Sequence, residues 1–306
     1  MSAPVNATAS LADIATDDGT FAVVAMDQRN TLKRMFAAVG QENPSEEELR
    51  EVKADVITAL APAASAFLLD PTYGVPALHA VSDSLAKVPG VLVAAEPSSR
   101  GNYNGEPRAS LAPGQDARWV LGQGGSASKF LVQLRADRKP TDGVDLAAEA
   151  LDVVSELIGD CRATGVPSVV ENLIYPLPGE EGLTPERRAD AIIEAAVALD
   201  ALKPDLLKLE YPGSPEACRR LADTLTVPWA VLSAGVGFDE FAEVLRISCD
   251  EGGASGFIAG RAVWKDAVGM PTGPRLEHLR GEGLRRLEGC LAAIADRARP
   301  WTEVSA

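Results

Sequence analysis

FAVVAMDQR, residues 21–29, runs six apolar side chains together and then turns to three polar ones. A strand with one face in water alternates apolar and polar residues, whereas an unbroken apolar run describes a strand buried on both faces, as in a parallel sheet covered by helices. Seven further runs share this character: SAFLLD (65–70), GVLVAAE (90–96), ASKFLVQLR (127–135), PSVVENLIY (167–175), DLLKLEYP (205–212), PWAVLSAG (228–235) and GFIAGRAVW (256–264). Between them lie stretches of helical period. Residues 45–60 open on Ser45 with Glu48 three positions on, a capping box. Residues 184–202 open on Thr184 followed by Pro185 at the first helical position. Residues 142–164, 214–225 and 238–251 read the same way, and the first of these stops at Gly165.

Strand and helix alternating eight times predict an α/β chain folded as a (β/α)8 TIM barrel, a single domain over residues 1–306, with an open doubly wound sheet as the competing architecture. A barrel of this kind takes about 250 residues, which leaves room for modest loop insertions. The largest is PSSRGNYNGEPRASLAP (97–113), long enough to be either a lid or an irregular decoration.

The net charge of −15 argues against nucleic acid or an anionic membrane as partner and makes any local cluster of Lys and Arg informative. Cys161, Cys218, Cys249 and Cys290 show no ligand spacing and fall in helical stretches, as do His79 and His278. No metal and no cofactor is expected, since imidazoles are missing from the strands and no glycine fingerprint follows the first strand. The N-terminus has no basic segment ahead of an apolar run, and no apolar stretch reaches ~18 residues, so a cytoplasmic location is expected.

Barrel sites form at the C-terminal ends of the strands, so ionisable residues there are candidates. Lys208 lies inside DLLKLEYP; burial favours its free amine, which can attack a ketone, and the plain alternative is a lysine paired with a carboxylate. On the fourth strand, alternation puts Lys129, Leu131, Gln133 and Arg135 on one side. Lys129 and Lys208 would each lower the other's affinity for a proton, or Lys129 would pair with a carboxylate. Glu171, on the strand between them, suits an acid/base role or a structural ion pair. Glu210 shares the side of Lys208. Asp27, Gln28 and Arg29 close the first strand, either at a site for an anion or as an ordinary strand end. Ser233 and Gly235 after the seventh strand, with Gly260 and Arg261 in the eighth, stand where barrels commonly bind phosphate.

AMDQRNTLKRMFAAVG, SAFLLDPTYG, DLLKLEYP, PWAVLSAGV and GASGFIAGRAVW together resemble the class I aldolases that include tagatose-1,6-bisphosphate aldolase and sulfofructosephosphate aldolase. The likeness runs through nearly the whole chain, and the last segment with AVGMP looks closer to the sulfofructosephosphate branch. The resemblance implies a lyase that cleaves 6-deoxy-6-sulfofructose 1-phosphate to dihydroxyacetone phosphate and sulfolactaldehyde. It implies Lys208 as the Schiff-base lysine, Lys129 and Glu171 as its companions, and Asp27, Gln28 and Arg29 lining the substrate. Ser233, Gly235, Gly260 and Arg261 would then hold the phosphate. Gln133–Leu134 departs from the aromatic residues expected there, and ENLIYPLPG has its own composition; both leave the far end of the substrate open. Alternatives are a tagatose- or fructose-bisphosphate aldolase, a deoxyribose-phosphate-type aldolase, a metal-dependent enzyme and a non-catalytic sugar-phosphate sensor. The expected partner is a small sugar phosphate or sulfosugar phosphate, with a homo-oligomer as the expected assembly.

Overall fold

The computed structural model describes residues 9–304, so the outermost residues of the expected 1–306 domain lie outside the described residues. Eight parallel strands close a barrel. They are β1 (Phe21–Met26), β2 (Ala66–Leu69), β3 (Gly90–Ala94), β4 (Ala127–Val132), β5 (Ser168–Asn172), β6 (Leu206–Leu209), β7 (Trp229–Val231) and β8 (Gly256–Ala259). Each lies within one of the eight apolar runs, in sequential order around the barrel, with β8 paired to β1. The competing open sheet is thereby excluded.

Helices cover the outside. Glu46–Leu60 starts at the Ser45–Glu48 capping box, where the Glu48 amide donates to Ser45 Oγ at 3.2 Å and Glu48 Oε2 accepts from the Ser45 amide at 2.7 Å. Pro185–Asp200 is capped by Thr184, and Leu146–Thr164 by Asp145, ending at the left-handed Gly165. The four cysteines are buried in helices. Among the described residues no helix is long and apolar enough to cross a membrane.

Two cores result. One lies between barrel and helices. The other fills the barrel's lower interior with Val23, Ala25, Leu68, Leu92, Ala94, Ala127, Val169, Leu206, Ala230 and Ile258. Strand alternation carries these same faces upward to Asp27, Glu96, Lys129, Glu171 and Lys208. The pairing puts Lys129 opposite Ala94, Leu131 opposite Glu171, and Glu171 opposite Lys208. Apolar side chains thus plug the bottom, and charged ones stand together at the top.

Two strand ends differ from the reading of the sequence. The eighth run is not strand throughout: it stops at Ala259, Gly260 turns the chain, and Arg261–Trp264 forms a helical turn. That turn is pinned where Trp264 Nε1 donates to the Ala25 carbonyl at 3.1 Å. In the fourth run the strand ends at Val132, Leu131 and Gln133 still face the cavity, and beyond them Asn172 Oδ1 accepts from the Leu134 amide at 2.8 Å. Arg135 leaves the side of Lys129 and clamps the loops, donating to Asp137, to Glu180 and to the Tyr175 carbonyl.

Candidate active site

A cavity of about 1000 Å3 opens at the C-terminal ends of the strands. Every candidate named from the sequence lines it except Lys129 and Gly235. Glu210 lines it too, as do Gln133 and Tyr175 from the two segments of unusual composition.

Lys129 lies beneath the floor, wholly buried. Its Nζ reaches Asp27 Oδ2 at 2.7 Å, Glu171 Oε2 at 2.7 Å and Glu96 Oε1 at 3.0 Å. Glu171 turns its other oxygen, Oε1, to Lys208 Nζ at 3.0 Å. Burial opposes charge on the Lys129 ammonium, but Asp27, Glu171 and Glu96 outweigh it and hold the group well above the usual lysine range. Of the two expectations for Lys129, a lowered affinity for a proton is corrected and pairing with carboxylates is what the structure shows, since three of them lie within 3.0 Å. Burial likewise raises Glu171, yet Lys129 and Lys208 more than reverse this, so the carboxylate is held below its ordinary range. Asp27 follows the same pattern, with Lys129 the foremost of the cations that overcome its burial.

The first-strand residues diverge in role. Asp27 reaches down to Lys129 while lining the cavity. Arg29 donates to the Glu96 carbonyl at 3.1 Å, with the Glu96 carboxylate 4.0 Å away. Gln28 lines the cavity, and its buried Oε1 has no hydrogen-bond partner.

On the rim formed after β7 and β8, Ser233 and Arg261 face the cavity. Ala234 and Gly235 both take positive φ, 48° and 89°, which turns the chain sharply. A Cβ on Gly235 would sit 3.2 Å from the Arg261 guanidinium carbon, so the glycine makes room for that side chain. Gly260 is needed for another close approach: its Cβ would fall 1.9 Å from the Ala25 carbonyl oxygen. The glycine there makes room for β1, and its backbone also borders the cavity.

Three supporting residues escaped the sequence reading. Glu96 ends GVLVAAE and looks there like a strand terminus. Lys53, on the helix Glu46–Leu60, is buried and donates to the Met26 and Gln28 carbonyls and to Asp70. Asp70 also accepts from the amides of Thr72, Tyr73 and Gly74. This pair holds the backbone on either side of Asp27.

A family model described as DeoC/LacD family aldolase matches residues 21–266, about four-fifths of the chain. The chain belongs to the DeoC/LacD aldolase family. It is similar to tagatose 1,6-diphosphate aldolase 2 of Streptococcus pyogenes, 29% identical with 94% of each chain covered. The tagatose 1,6-diphosphate aldolase of Staphylococcus haemolyticus is 28% identical, with 96% of this chain and 97% of that one covered. Among solved structures, a Plasmodium falciparum fructose-bisphosphate aldolase superposes with a TM-score of 0.70 at 15% identity, covering 94% of each chain. A Schiff-base-forming fructose-1,6-bisphosphate aldolase gives 0.62 at 15% identity, covering 92% of this chain and 99% of that one. These superpositions bear on the fold; the family assignment makes the chain an aldolase, an aldehyde-lyase. For a DeoC/LacD aldolase, a lysine amine next to an ionised carboxylate on a cavity floor suits addition to a carbonyl followed by proton transfer.

Proposed function

We propose that this aldolase is of class I, acting through a Schiff base on Lys208. The observation that carries the reading is the Lys208–Glu171–Lys129 row, in which the one amine exposed to the cavity floor stands 3.0 Å from a carboxylate anchored from behind. Lys208 Nζ adds to C2 of an open-chain ketose 1-phosphate, and loss of water gives a protonated imine. Glu171, directly or through water, takes the C4 hydroxyl proton. The C3–C4 bond breaks, its electron pair passes into the imine, and the aldehyde departs. The enamine left behind is protonated at C3, and hydrolysis releases dihydroxyacetone phosphate and the free amine. Ser233, Gly260 and Arg261 hold the phosphate, with Gly235 making room for the Arg261 side chain, while Asp27 receives substrate hydroxyls.

For the distal end we propose a sulfonate, so that the substrate is 6-deoxy-6-sulfofructose 1-phosphate and the aldehyde sulfolactaldehyde. A singly charged sulfonate suits a neutral donor, and the Gln28 side chain, which lines the cavity beside Arg29 and carries an amide NH2, supports this. The tagatose 1,6-diphosphate aldolases among the relatives favour a second reading with phosphate at that end.

The test is borohydride reduction in the presence of dihydroxyacetone phosphate, followed by intact mass and peptide mapping. An adduct on Lys208 is expected, and Lys208→Ala should lose at least about four orders of magnitude in turnover. A variant keeping more than a few per cent of the rate would disprove the assignment. Comparing kcat/KM for sulfofructose 1-phosphate and tagatose 1,6-bisphosphate decides the distal group; equal values exclude sulfonate specificity.

A further inference from the structure

An ammonium has three N–H donors, and Lys129 spends all three on carboxylates: Asp27, Glu171 and Glu96. Two of these belong to the row already described. Glu96 is the third, and its geometry is that of a strut. Oε1 accepts from Lys129 Nζ at 3.0 Å, Oε2 accepts from the Leu131 amide at 3.1 Å, and its backbone carbonyl accepts from Arg29 at 3.1 Å. Both side-chain oxygens are engaged within the protein, and Glu96 borders the cavity.

The charges of the cluster balance. Asp27, Glu171 and Glu96 face Lys129, Lys208, whose Nζ stands 3.0 Å from Glu171 Oε1, and Arg29, whose Nη2 stands 4.0 Å from the Glu96 carboxylate. Lys53, behind the β1 end, has its own partner Asp70. A protonated imine on Lys208 keeps a positive charge facing Glu171, so the cluster suits the imine as long as Glu171 stays ionised and in place. Lys129 anchors Glu171, and removing a carboxylate from beside this buried ammonium leaves part of its charge uncompensated.

Resting on the Schiff-base reading of Lys208, we propose that Glu96 is a positioning residue that stabilises the protonated imine through Lys129. It does this by fixing the Lys129 ammonium, which in turn anchors Glu171 beside Lys208. The position needs two acceptors at once, one for Lys129 and one for the Leu131 amide. Only a carboxylate offers that, since an amide would turn its NH2 toward one of two donors.

The experiment compares wild type, Glu96→Gln, Lys129→Met and the double variant. Each is saturated with dihydroxyacetone phosphate, trapped with borohydride, and assayed for kcat and KM, with circular dichroism as a check of folding. In Glu96→Gln the trapped fraction should fall several-fold and kcat about 100-fold, as for loss of one preorganised electrostatic group, with KM changing less than about threefold. The double variant should be no slower than Lys129→Met, because Glu96 acts through that lysine. Wild-type trapping and kcat in Glu96→Gln, or losses that simply multiply in the double variant, would overturn the proposal. Should Glu96→Gln fail to fold, Glu96→Asp replaces it. Its shorter arm cannot serve both donors, so a several-fold loss of kcat supports the role and a wild-type rate refutes it. If wild-type protein traps no adduct, it is the Schiff-base reading that has failed.

Discussion

Gly260 shows how a single position can serve the site through packing. A methyl group there would lie 1.9 Å from the Ala25 carbonyl oxygen and 2.7 Å from Trp264 Nε1. Neither neighbour can give way easily, since one is backbone and the other is hydrogen-bonded to that same carbonyl. Gly260→Ala should therefore destabilise the fold by about 3 kcal/mol, the usual scale of an overpacked core site. Thermal melting measures it; an unchanged Tm would mean that the β8 turn shifts freely. The same scale shows what could be read in advance. Lys129, Glu171 and Lys208 were legible because a charge inside an apolar run needs a reason. Lys53 was not, because in EEELREVKADVITAL a lysine looks like part of a solvated helix face. Glu96 was not, because a carboxylate after an apolar run also describes an ordinary strand end. The mutual effect expected of the two lysines failed at Lys129 because three of its neighbours are carboxylates brought in from β1, β3 and β5, a count that depends on closure of the barrel.

At the level of elements, the segment 97–113 is built around an anchored hairpin and is not an irregular decoration. Gly101–Tyr103 and Glu106–Arg108 pair as a small antiparallel hairpin along the cavity wall. Glu106 is buried, and its carboxylate accepts from Arg138 Nη2 at 3.0 Å and from the Tyr175 hydroxyl at 3.2 Å. One hairpin residue thus ties the loops after β3, β4 and β5 together. Beside it, Arg108 pairs with Glu149 on the helix Leu146–Thr164 at 2.7 Å. The spacing of Gly and Asn hinted at turns, but the anchors come from distant segments, and nothing local to 97–113 announces them. Removing one partner of a buried ion pair costs about 3–5 kcal/mol. Glu106→Ala should release the hairpin before the barrel, so limited proteolysis would cut within 97–113 under conditions where wild type stays intact. If cleavage begins elsewhere, or no faster, the hairpin is not held by this pair.

Across the whole molecule, the eight apolar runs predict a parallel sheet covered by helices, and the pairing of β8 with β1 is what closes it into a barrel rather than an open sheet. Four carboxylates are protected by the fold in their ionised form, and they set how the protein responds to acid, whereas burial raises Glu210 on the cavity wall. Asp27 and Glu171 are held low by Lys129 and Lys208 against the opposing effect of burial. Asp137 is held at about 2, first by the hydrogen bond from Arg135 and despite partial burial. Asp200 is lowered as well, where the amides of Thr226 and Val227 outweigh its burial. Each of these groups binds a proton more weakly folded than unfolded. Its stabilisation is therefore fully present above the unfolded value, near 4 for a carboxylate, and is lost as pH falls through the folded value. The urea midpoint should thus stay level from about pH 8 to about pH 5 and drop steadily below about pH 4. Asp137→Asn removes a group whose share is lost between about 4 and about 2, so that variant should start less stable at neutral pH and lose less across that interval. A wild-type midpoint that holds level down to about pH 2 would show that these ion pairs contribute nothing net. A variant that falls in parallel with wild type would remove Asp137 from the account and leave the barrel-top cluster as the source of the acid sensitivity.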